Sequence, residues 1–119
     1  MKIYVAHSRG FDYVNELYKP IRDNIHGYEI ILPHENNSND PHDREFYKNI
    51  DLFIGEVSYP ATGLGIELGF AYDDNKPIYC IYKKGNKISS SVKAITNNIY
   101  EYSNIDEMVK IIENIIRGE

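Results

Sequence analysis

Residues 63 to 69 read Gly63-Leu-Gly-Ile-Glu-Leu-Gly69, and the carboxylate in that run is out of character with its apolar, glycine-flanked surroundings. Gly63 and Gly65 would let the backbone turn tightly and approach a ligand. Glu67 would then sit partly desolvated at the edge of a sheet, a setting suited to a catalytic carboxylate. The plain alternative is an acid in the first turn of a helix, favoured by the helix dipole. A dinucleotide fingerprint fits poorly: the spacing is G-x-G-x-x-x-G, and no acidic residue follows at the expected interval of about twenty positions.

Three other groups of residues could take part. Pro41-His-Asp-Arg-Glu45 opens a helix before the strand that the Gly63 run follows. Asp43 there reads locally as an N-cap or first-turn acid. If the two helices flank one strand, Asp43 and Glu67 could also meet over one pocket, and two carboxylates in different environments can divide the roles of acid and nucleophile. In Ala6-His-Ser-Arg-Gly10, a hydroxyl, a guanidinium and a glycine follow a strand. Ser8, Arg9 and Gly10 suit an anion, since backbone N–H groups and Arg both bind phosphate; a capping Ser with an exposed Arg is the equal alternative. Ser89-Ser-Ser91 begins a short helix, where Ser90 and Ser91 could cap or hold a phosphate. The four histidines lack close ligand spacing and Cys80 has no second cysteine, so neither a metal site nor a cofactor is expected.

The elements that must position these groups alternate in type. Strands are expected at Lys2 to Ala6, Tyr28 to Leu32, Asp51 to Val57, Pro77 to Tyr82 and Asn98 to Tyr102. Helical patterns fall at Tyr13 to Ile25, His42 to Asn49, Gly63 to Asn75, Ser89 to Thr96 and Asn104 to Arg117, the last capped by Asn104 and stopped at Gly118. Alternating strands and helices indicate βαβ units, hence an α/β three-layer sandwich: a flavodoxin- or Rossmann-like parallel sheet of four to five strands flanked by helices. Ligands in such sheets bind outside the carboxyl ends of the strands. With no repeat or linker, residues 1–119 read as a single domain. Pro33 to Pro41 is the long polar loop and a candidate flap over the site.

Bulk properties narrow the partners. A formal net charge of −5 argues against a nucleic-acid binder. No apolar run approaches the roughly 20 residues of a membrane span. The first residues enter a strand pattern without a signal-peptide core, and Cys80 reads as a buried apolar residue in a reducing compartment, so a cytoplasmic location is expected. A response-regulator reading fails, because the third strand ends Gly-Glu-Val-Ser without an acceptor aspartate.

The run Asp51-Leu-Phe-Ile-Gly-Glu-Val-Ser-Tyr-Pro-Ala-Thr-Gly-Leu-Gly-Ile-Glu-Leu-Gly-Phe-Ala71, followed by Asn75-Lys-Pro-Ile-Tyr-Cys80 and the serine-rich turn, resembles the nucleoside 2-deoxyribosyltransferase superfamily. The likeness is greatest to its short branch, the 2′-deoxynucleoside 5′-monophosphate N-glycosidases. The resemblance implies that Glu67 attacks C1′ of the sugar to form a covalent glycosyl intermediate and that Asp43 assists departure of the base. It also implies that Tyr4 is an active-site tyrosine and that Ser8, Arg9 and Gly10 bind phosphate. Ser91, or equally Ser90, would reach the phosphate of a neighbouring subunit, so a homodimer or larger homo-oligomer is implied. Ala61-Thr62 departs from the serine usual before the glycine pair; Thr62 could supply that hydroxyl one position on. The expected substrate is a small nucleoside or nucleotide. Hydrolysis of (2′-deoxy)nucleoside 5′-monophosphates leads, favoured over transfer by the ordinary amphipathic helix that closes the chain. Base exchange between deoxynucleosides is the first alternative and a non-catalytic nucleotide-binding module the second.

Overall fold

In the computed structural model, which describes residues 1–37 and 42–118, every strand and helix expected from the sequence is present, with ends shifted by one or two residues. β1 (Lys2–His7) leads into a helical stretch that opens as a wide turn (Val14–Tyr18) and tightens into α1 (Lys19–Asn24). There follow β2 (Glu29–Ile31), a tight turn at Glu35–Asn37, α2 (Arg44–Lys48), β3 (Leu52–Glu56) and α3 (Thr62–Asp73). The chain ends with β4 (Ile78–Lys83), α4 (Ser90–Ile95), β5 (Ile99–Tyr102) and α5 (Ile105–Arg117). Of the polar loop named as a candidate flap, positions 38–41 lie outside the described residues.

All four strand pairings are parallel and the order is β2-β1-β3-β4-β5, the flavodoxin-like arrangement. A parallel sheet covered on both faces needs strands that are apolar on both sides. β1 meets this by alternation: Ile3 and Val5 join the core under α1 and α5, while Tyr4 and Ala6 join the core under α2, α3 and α4. α5 closes the first layer with Met108 and Ile112 almost wholly buried. Asn104 caps it, accepting from the Glu107 N–H at 2.8 Å, and Gly118 ends it in the left-handed conformation at φ 76°. Among the described residues no helix is long and apolar enough to cross a membrane.

The order reverses between β1 and β3, which are neighbours although β2 separates them in sequence. Chains leave those two strands in opposite lateral directions, opening a crevice at their carboxyl ends. The residues after β1, the start of α2 and the first turns of α3 converge on that crevice.

Candidate active site

Thr62 opens α3, so Glu67 falls in its second turn; the first turn carries no acid, and the dipole account of Glu67 is set aside. The tight turn expected at Gly63 and Gly65 is also corrected. Both lie inside α3, and the glycines with positive φ are Gly27, Gly85 and Gly118. The two helical glycines instead strip side-chain bulk from the helix surface: a Cβ added at either would meet nothing within 4 Å.

Glu67 is half-buried and faces a cleft of about 560 Å³ lined by His7, Arg9, His34, His42, Tyr47 and Phe70, with Ala61, Gly63, Leu64 and Ile66 along the α3 side. Two tyrosine hydroxyls donate to one of its oxygens, Oε2: Tyr4 from β1 in a short hydrogen bond and Tyr47 from α2 at 2.8 Å. Burial, then the nearby Glu67 charge, pushes the Tyr47 hydroxyl up to about 12 and raises that of Tyr4 further still. Both remain protonated donors at neutral pH. Charge-assisted O–H···O⁻ bonds are the strong class of hydrogen bond, so the carboxylate is held in one orientation. No described residue donates to Oε1.

The cleft is walled by rings. His42 stacks on Phe46 at 3.8 Å between centroids, and Tyr47 lies 5.4 Å from Phe70. Arg44 spans α2 and α3, with its guanidinium 4.5 Å over the Phe70 ring and bonds to Asp73 (2.9 Å) and Asp74 (2.5 Å). Such apolar walls with a few convergent polar groups suit a flat, partly aromatic ligand.

His7 is buried at the crevice floor. Its Nδ1 lies 2.6 Å from the Ser8 carbonyl oxygen, so Nδ1–H donates there, and Nε2 accepts from the Tyr18 hydroxyl at 2.5 Å. Burial lowers its pKa to about 4, consistent with a neutral ring making both bonds.

The other residues named from sequence are distributed unevenly. Arg9 is exposed and lines the cleft. Ser8 is buried, and its hydroxyl accepts from the Gly10 N–H at 2.9 Å, a local turn bond. Asp43 is an exposed N-cap of α2, its Oδ1 accepting from Phe46 N–H at 2.9 Å; among the described residues it is His42, not Asp43, that lines the cleft. Thr62 is exposed at the start of α3. Gly65 and Ser91 line a separate apolar groove between α3 and α4, while Ser90 faces outward near Lys93. Ser89, not Ser90 or Ser91, caps α4. Among the described residues, no group of three or more His, Cys, Asp or Glu could hold a metal ion.

Tyr47 was not singled out from sequence. In Phe46-Tyr47 it reads as a core aromatic; the available signal is that a buried tyrosine hydroxyl needs a partner. Glu56, inside the apolar third strand, carried the same kind of signal. It is 1% exposed and accepts from Ser58 N–H (2.6 Å), Ser58 Oγ (2.9 Å) and, in a short bond, Tyr102.

No family model matches the chain. It is 27% identical over 86 residues to a 5-hydroxymethyl-dUMP N-hydrolase of Tetraodon nigroviridis, covering 66% of this chain and 60% of that protein. The chain spans roughly three-fifths of the length of the curated relatives it matches. Two solved structures share the fold at low identity. One is a CMP N-glycosidase of Clostridium botulinum (TM-score 0.63, 19% identity, 95% of this chain and 99% of that one). The other is a 2-deoxyribosyltransferase of Bacillus psychrosaccharolyticus (TM-score 0.63, 22% identity, 92% and 90%). Sequence and fold together bear out the resemblance to the nucleoside 2-deoxyribosyltransferase superfamily and to its short nucleotide N-hydrolase branch.

Proposed function

We propose that the chain is an enzyme that hydrolyses the N-glycosidic bond of (2′-deoxy)nucleoside 5′-monophosphates, releasing free base and sugar phosphate. The observation that carries the reading is Glu67 itself: a carboxylate lining the cleft and clamped on one oxygen by two neutral hydroxyls, with no donor to Oε1 among the described residues. The relatives named as nucleotide N-hydrolases point to the same bond. In the first step Oε1 bonds to C1′ while the C1′–N pair passes to the base nitrogen, which takes up a proton from solvent, with Asp43 assisting the departure. In the second, water bonds to C1′, the C1′–Oε1 pair returns to Glu67, and the water's spare proton leaves to solvent. This is retaining-glycosidase logic, which divides one hard displacement into two easier ones. Tyr4 holds the nucleophile.

Arg9 takes the 5′-phosphate, with Ser8 and Gly10 shaping its turn. Gly63 forms part of the α3 side of the site and Thr62 stands exposed beside it, whereas Gly65 faces the neighbouring groove between α3 and α4. Ser90 or Ser91 serves the phosphate across a homodimer or larger homo-oligomer. Residues 1–119 act as one deoxyribosyltransferase-like domain in the cytoplasm. Base exchange uses the same Glu67 and differs only in the acceptor of the second step; a nucleotide-binding module without catalysis is the remaining alternative.

One assay separates these. The protein is incubated with a deoxynucleoside, its 5′-monophosphate, and either compound plus a second free base, and released base and exchanged nucleoside are quantified. Base release from the monophosphate without exchange is expected. Exchanged nucleoside would replace hydrolysis by transfer, no turnover would leave the binding module, and equal rates with and without phosphate would remove the role given to Arg9.

A further inference from the structure

Among the described residues, two hydroxyls on different elements donate to Glu67, and both do so on the same oxygen. One donor is enough to orient a carboxylate. The second, from Tyr47 on α2, makes the two oxygens chemically unlike: Oε2 takes both hydroxyls, and Oε1 takes no donor from the described residues. Tyr47 is 6% exposed, and its ring is fixed edge-on to Tyr4 at 5.5 Å between centroids and against Phe70. The hydroxyl therefore has little freedom to swing away.

Resting on the proposed hydrolysis, we propose that Tyr47 is a positioning residue that directs attack through Oε1 and supports Glu67 as the leaving group of the second step. A donor on Oε2 withdraws charge from the carboxylate. That costs some nucleophilicity when the Oε1–C1′ bond forms, and it stabilises the carboxylate released when water bonds to C1′ and the C1′–Oε1 pair returns to Glu67. The Tyr47 proton stays on its own oxygen throughout. Tyr47 thereby balances the two half-reactions, and its loss tilts them toward accumulation of the glycosyl-enzyme.

The test compares wild type with Tyr47→Phe, which keeps the ring, and with Tyr47→3-fluorotyrosine, a stronger donor of nearly the same shape. Substrate is whichever of dAMP, dGMP, dCMP and dTMP the wild type cleaves fastest. Rapid-quench base release is read together with intact-protein mass after acid quench. Hydrogen bonds to charged groups are worth enough to predict a fall in steady-state kcat of about ten- to a hundredfold in Tyr47→Phe. That fall comes with a burst approaching one base per site and a mass increase of one deoxyribose phosphate. The fluorinated variant gives a smaller burst than wild type. A slower Tyr47→Phe enzyme with neither burst nor adduct would mean that the hydroxyl only supports the fold, and unchanged kcat would remove its role altogether. If the wild type cleaves none of the four, the hydrolase reading fails first. The hydrogen bond is then read separately from the carboxyl resonance of 13C-labelled Glu67 at fixed pH: it moves in Tyr47→Phe if Oε2 loses a donor, and an unmoved resonance overturns the pairing.

Discussion

Two carboxylates lie on opposite faces of the sheet, and tyrosine hydroxyls grip both. Glu56 ends β3 on the α5 side; its donors come from Ser58 twice and from Tyr102, and water is shut out. Glu67 lies on the other face, gripped by Tyr4 and Tyr47 on Oε2, with no other donor among the described residues, and it lines the cleft. Burial raises the pKa of Glu56, the kind of perturbation that often marks an active site. Here that signal marks the structural carboxylate, whose bonding is complete: Ser58 also accepts from Lys83 N–H at 2.7 Å and, through its carbonyl, from Asn86 at 3.1 Å, tying the β3–α3 loop to the strand beside it. The candidate nucleophile is the carboxylate that lines a ligand-sized space and has one oxygen without a donor among the described residues.

The comparison breaks most visibly at Glu67. Glu67→Gln should lower kcat by about a thousandfold or more, as loss of a nucleophile does, while the thermal midpoint stays close to wild type. Retained turnover would overturn the assignment. Glu56→Ala should do the reverse. It strands the Tyr102 hydroxyl and the Ser58 N–H in the core, at a cost of about 3 kcal/mol in urea unfolding, with much of the activity per folded molecule preserved. Equal loss of activity in both variants would erase the distinction between the two sites.

His7 sharpens the comparison because it belongs to both kinds: buried like Glu56, on the cleft like Glu67. Its folded pKa is lowered to about 4, below the unfolded value of 6.5, so the unfolded chain binds more protons between those values. The fold should therefore lose stability as pH falls from 6.5 toward 4, by about 2 kcal/mol at pH 5 from this group. Thermal midpoints from pH 7 to 4 should decline less steeply in His7→Gln than in wild type; parallel curves would assign the loss elsewhere. The smallest effect is expected at Arg44, whose ion pair with Asp73 lies toward solvent and whose pair with Asp74 is only partly buried. Arg44→Ala should lower the midpoint slightly and less so at high salt, since exposed pairs are screened. Any activity change should appear in KM, through the wall that Phe70 and Tyr47 form.

Much of this was legible in the residues. The continuous apolar, β-branched and aromatic run of β1, the 3.6-residue period of α5, the Asn104 cap and the Gly118 stop are local signals, and each element formed where its pattern lay. Glu67 was visible because a carboxylate between Ile66 and Leu68 violates the pattern around it. Tyr47 and Glu56 were missed for opposite reasons. Tyr47 obeys its helix's apolar pattern, and its hydroxyl finds its partner 20 positions away only when α2 packs on α3. Glu56 sits at the end of an otherwise apolar strand, and its partner Tyr102 is 46 positions away, brought near by β5 at the sheet's edge. The anion turn also changed character: Ser8 spends its hydroxyl on Gly10, leaving Arg9 as the member that lines the cleft.

By itself, then, the sequence determined the alternation of elements, the parallel sheet that follows from it, and the presence of a misplaced carboxylate in α3. These depend on periodicity and caps, which act over a few residues. Tertiary structure alone decided which oxygen of Glu67 the two tyrosines hold, and that Glu56 serves the fold rather than the cleft. It also decided that Tyr47 of α2 and His42 just before the helix line that cleft, while the capping Asp43 between them does not. Each of those depends on where a hydroxyl or carboxylate comes to rest against a partner tens of residues away, a distance that only the packing of helices on the sheet sets.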